Sequence, residues 1–127
     1  MTTLMRLVLG TAPKTQAMFI SEFDFYQDHG DVRAPSGWQV SRWWPGPGSR
    51  AMAWIWRANS AYIVAQPTWE GRAGALRLRT RTGETDMTII GVHCGHEEGL
   101  IDTLREARDL WRKRCRKSKV VWVGDWN

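Results

Sequence analysis

A chain of 127 residues has room for one domain with one core, and its 18 Lys and Arg against 13 Asp and Glu leave a net charge of +5, which suits a polyanionic partner as well as it suits plain solubility. With 43% apolar and 24% charged residues the composition is that of an ordinary globular protein, and no apolar run approaches the ~20 residues of a membrane span. Cys94 and Cys115 match neither a disulfide framework nor a zinc spacing, and His29, His93 and His96 add no ligand cluster to them, so a single reduced domain over 1–127 is expected, without a disulfide, and intracellular, the nucleus included.

In chain order, residues 1–14 read as an irregular lead-in closed by Pro13. Ala17-Met18-Phe19-Ile20 is a short apolar run that ends in Ser21-Glu22-Phe23, the pattern of a buried strand with polar groups arriving at its tip. Gly30, Pro35 and Gly37 punctuate a loop, 38–44 suits a strand, and Pro45 to Ser49 must turn. Met52, Trp54 and Trp56 share a face of a strand over 50–57, and 62–65 reads as another. The chain has nine Trp, most of them in strand-like runs and expected in the core. Residues 67–74 read as loop. Leu76 and Leu78 then alternate with Arg77, Arg79 and Arg81, as in a half-buried strand with a wet basic face. Thr82-Gly83-Glu84-Thr85 is a hairpin turn into an apolar partner strand ending at His93.

The spacing of Leu100, Leu104, Ala107 and Trp111 makes one apolar stripe and predicts a helix over 97–116, acidic at its start and basic at its end. A final strand runs from Lys119 towards Asp125. The expected fold class is therefore α/β, an α+β sandwich with a mixed, mostly antiparallel sheet and a C-terminal β-α-β crossover. Such crossovers set their two strands parallel, so His93 and Asp125 should reach the same sheet edge, where ligands of open α/β sheets gather.

Glu22, His93, Asp125 and Asn127 each follow an apolar strand. A carboxylate such as Glu22 suits Mg²⁺, Asp can orient or deprotonate a water, and His and Asn can steady phosphate oxygens. Four stretches carrying these residues, M-F-I-S-E, G-S-R-A-M-A-W-I-W-R, T-I-I-G-V-H and V-V-W-V-G-D-W-N, resemble the endonuclease/exonuclease/phosphatase superfamily, with its deoxyribonuclease-like and abasic-endonuclease-like fold. Ser21 stands where the family's strand usually carries Gln, and Trp126 where its Gly-Asp-Phe-Asn signature carries Phe.

The resemblance implies a Mg²⁺- or Mn²⁺-dependent phosphodiester hydrolase acting on nucleic acid. Glu22 would be the metal ligand, Asp125, Asn127 and His93 the catalytic groups, and Arg50 a substrate phosphate contact. It also implies an Asn-bearing first strand and a Ser-Asp-His segment, and residues 1–127 contain neither. The expectation is thus a fragment of the domain, of retroelement type, weakly active or inactive alone. Two other readings stand beside it: a non-catalytic remnant that binds nucleic acid, and a small-molecule phosphoesterase for inositol phosphates or sphingolipid. The basic run from Arg112 to Lys119 reads equally as a phosphate contact or as a solvated helix end.

Overall fold

The unbroken apolar run Ala51–Trp56 forms the centre of one sheet. The computed structural model describes residues 15–23, 36–46, 51–58, 60–93, 99–114 and 119–125, and the chain divides into two compact units, 1–60 and 61–127. Among the described residues no helix is long and apolar enough to cross a membrane.

In the first unit β1 (Ala17–Phe23), β2 (Trp38–Trp43) and β3 (Ala51–Arg57) form an antiparallel sheet in the order β1-β3-β2. The central strand is buried at every position from Ala51 to Trp56. Successive side chains of a strand point to opposite faces, so this run fits a strand covered on both. On one face Ala51, Ala53 and Ile55 pack with Met18, Ile20, Trp38 and Val40. On the other, the rings of Phe19 and Trp54 meet at 5.2 Å and a tilt of 53°, a favourable aromatic geometry. Arg57 closes the sheet end. Its guanidinium lies 4.4 Å over the Trp38 ring, and its Nε donates to the Thr15 carbonyl at 2.7 Å.

The second unit holds β4 (Tyr62–Val64), β5 (Thr68–Glu70), β6 (Ala73–Thr80), β7 (Asp86–His93), α1 (Leu100–Arg114) and β8 (Lys119–Asp125). The strand order is β4-β6-β7-β8, with β5 also paired to β6. All pairings are antiparallel except that of β7 with β8, which are parallel. The mixed α/β class and the strand–helix–strand unit expected from the sequence are both present. One face of this sheet carries a core of Ala73, Ala75, Ile90 and Val92 against Ala107 and Leu110 of α1, with Val120 half-buried beside them. Asp102 lies in the first helical turn, where a carboxylate suits the helix dipole.

Two local expectations are corrected. The stretch 67–74 is not all loop, since Thr68–Glu70 pairs with Ala73–Ala75 as a short hairpin. The ring of Trp69 covers Gly74 there, at a spot where a methyl group would collide with it. On the basic face of β6, Arg79 and Arg81 are exposed as expected, and Arg77 Nε donates to Asp86 at 2.9 Å, with a second guanidinium nitrogen on the other carboxylate oxygen. The helix is also rotated from the expected stripe. Its buried positions are Thr103, Ala107 and Leu110, while Leu104 is 46% and Trp111 36% exposed. Of the tryptophans, Trp54 and Trp56 are buried, but Trp44, Trp111 and Trp122 stand at the surface.

Candidate functional site

The ends of three neighbouring strands bring chemistry-bearing residues into one row. In the parallel β7–β8 pair, Met87 aligns with Lys119 and the register runs without a break to His93 opposite Asp125. Adjacent strands lie about 4.8 Å apart, so the two backbones are neighbours at the C-terminal ends of both strands. On the other side of β7 the ladder to β6 ends with Ala73 opposite Val92. One step further the His93 N–H donates to the Arg72 carbonyl at 3.1 Å. The row is therefore Arg72, His93, Asp125.

His93 follows Ile90 and Val92, which face the helix-side core, and strand alternation turns His93 to the opposite face. It is half-buried, and its Nδ1 is shut from solvent. Gly124 prepares the position of Asp125. Its φ is +145°, and a methyl group built on it would overlap the carbonyl oxygen of Val92. A glycine is needed here because β8 passes too close to β7 for any side chain. Gly124→Ala is expected to cost about 1–3 kcal/mol of stability, read as a lower urea midpoint, and to move the amide resonances of His93 and Asp125. An unchanged midpoint and unchanged resonances would show that β8 is not held this closely.

The structure brings together two of the residues singled out in the sequence, His93 and Asp125. Glu22 lies in β1 of the other unit. The pairing of β1 with β3 slips there: Ile20 aligns with Ala53 and Phe23 with Ala51, so β1 carries an extra residue at Ser21-Glu22. Such bulges bend a strand and often border functional sites. Arg50, Asn127, His96, Cys94 and Cys115 lie outside the described residues.

Arg72 escaped the sequence reading because it sits in the stretch taken as loop. The readable signal was Gly71 before it, which has a φ of +54° and turns β5 into β6. The Arg72 guanidinium extends to the start of α1, where a methyl group on Gly99 would lie 3.0 Å from it.

Among the described residues no three His, Cys, Asp or Glu side chains cluster as a metal site. The donor chemistry at the row nevertheless fits Mg²⁺ or Mn²⁺. Asp125 supplies a hard carboxylate, and Mg²⁺ takes only one or two of these with waters and phosphate oxygens.

No family model and no curated protein matches the sequence. Solved structures do match in fold. The chain resembles the endonuclease domain of TRAS1, a telomere-specific non-LTR retrotransposon, at 16% identity and a TM-score of 0.68, covering 98% of this chain and 52% of that one. It resembles the human Nocturnin catalytic domain with bound sulfate anion at 15% identity and 0.62, covering 99% and 56%. It resembles a humanized D. rerio TDP2 at 12% identity and 0.63, covering 99% and 54%. The chain thus spans about half the length of each of these structures, and at these identities the likeness is one of fold.

Proposed function

We propose that this chain, whose fold is that of the endonuclease/exonuclease/phosphatase superfamily to which all three solved neighbours belong, is a nuclease-like domain that hydrolyses phosphodiesters of nucleic acid with Mg²⁺ or Mn²⁺. The observation that carries this reading is the register of His93 with Asp125 at the C-terminal ends of two parallel strands. In this reading Asp125 orients the attacking water and takes its proton, so that attack runs in line with the departing oxygen. His93 donates a hydrogen bond to a non-bridging phosphate oxygen, and Asn127 steadies the same group. Glu22 is read as a metal ligand from the likeness of M-F-I-S-E to the family's metal-binding strand. When bound, the ion neutralises charge on the phosphate as the bond to the leaving oxygen breaks.

Nucleic acid as substrate is supported by the net charge of +5 and by the likeness to the TRAS1 endonuclease domain of a retrotransposon. The same neighbour supports a retroelement setting. Residues 1–127 contain no Ser-Asp-His segment, and the turnover we propose for them alone is weak.

The test is the conversion of supercoiled plasmid to nicked circles at high protein concentration. Slow nicking that needs Mg²⁺, stops with EDTA and disappears in Asp125→Ala supports the reading. Nicking that ignores both EDTA and the substitution contradicts it.

A further inference from the structure

We propose that Glu106, on α1, is a positioning residue for His93, acting through the Gly71–Arg72 turn. The proposal deepens the reading of His93 as part of the site and rests on it for its functional meaning. Arg72 makes two backbone hydrogen bonds in opposite directions. Its N–H donates to Glu106 Oε2 at 2.8 Å, across 34 residues of sequence, and its carbonyl accepts the N–H of His93 at 3.1 Å. One peptide segment thus links a helix carboxylate to the last residue of β7. The regular ladder between β6 and β7 stops at Ala73 and Val92, so this link continues the hold on β7 where pairing ends.

The local sequence is shaped around the contact. Gly71 has a φ of +54°, and a methyl group there would overlap the Glu106 carboxylate. The turn therefore lies against the carboxylate with no room for a side chain. Glu106 neighbours buried Ala107, one turn from Thr103 and Leu110. A carboxylate beside such a core is costly unless donors meet it, and a charged acceptor on a backbone N–H is among the stronger hydrogen bonds. Seven residues further along the helix, Lys113 Nζ reaches Glu70 Oε1 at 3.1 Å. The β5–β6 hairpin thus meets α1 at both points.

Two variants separate this from simple helix docking. Glu106→Gln keeps a carbonyl acceptor, whereas Glu106→Ala removes it. Amide hydrogen exchange followed by NMR reads the effect without relying on activity. In Glu106→Ala the His93 amide should exchange about tenfold faster while that of Ile90, deeper in β7, keeps its protection. Glu106→Gln should restore His93 to the wild-type rate. Gly71→Ala, which leaves the helix sequence intact, should reproduce the loss at His93. Unchanged exchange at His93 in Glu106→Ala, or an equal rise at His93 and Ile90, would overturn the proposal. If His93 responds as expected but plasmid nicking by Glu106→Ala matches wild type, the positioning stands and the assignment of His93 to the site fails.

Discussion

Asp125→Ala is expected to lower Mg²⁺-dependent nicking by about a hundredfold or more, the usual loss when a group that handles the nucleophile's proton is removed. The argument starts from position. β7 and β8 are parallel and in register to their last residues, so the crossover sets the Asp125 backbone beside that of His93. Asp125→Asn keeps the size of the side chain but cannot accept the water's proton, and it should lose nearly as much. Asp86 is the natural control. It sits at the opposite end of β7, held by Arg77, and a half-exposed ion pair of this kind is worth at most about 1 kcal/mol. Asp86→Ala should therefore keep the nicking rate. Equal losses in Asp86→Ala and Asp125→Ala would mean that folding, not chemistry, had been measured.

The second large effect is on stability. Leu110→Ala should destabilise the chain by about 2–5 kcal/mol, through lost apolar contact and the cavity left behind. Leu110 is 1% exposed and packs against Ala73, Ala75, Ile90 and Val92. Small domains are held by only about 5–15 kcal/mol in total, so the urea midpoint should fall steeply. Leu104→Ala, at a position 46% exposed, should stay within about 0.5 kcal/mol of the parent. If the two substitutions cost the same, the helix sits on its periodic stripe after all, and the contact of Glu106 with Arg72 goes with it.

These two residues also show where sequence reading stops. The longer strands, the hairpin turn at 82–85 and the parallel crossover were legible because alternation and turn residues are local signals, and tertiary packing agreed with them. The helix face was not. Ile101, Leu104, Leu110 and Trp111 put apolar groups all round α1, and spacing alone cannot choose among them. In the structure Ala107 and Leu110 meet the sheet, and Glu106 and Lys113 reach a hairpin more than 30 residues away. Short β5 was hidden by Pro67, Gly71 and Gly74, which read as loop but serve a tight turn and a Trp69 ring lying on bare backbone. At the site, His93 and Asp125 were visible as polar residues at the tips of apolar strands. Arg72 was not, because it joins the row through its backbone carbonyl, and nothing in a side chain's identity announces that.

The proposed site rests on an ion held at the C-terminal ends of β7 and β8. Substoichiometric Mn²⁺ added to the ¹⁵N-labelled chain tests this most directly, since paramagnetic broadening reports which amides surround the metal whether or not turnover occurs. Expected is simultaneous broadening of His93, Gly124 and Asp125, all of it lost in Asp125→Ala. Broadening that spares these residues, or that survives Asp125→Ala, would contradict a metal site at this sheet edge.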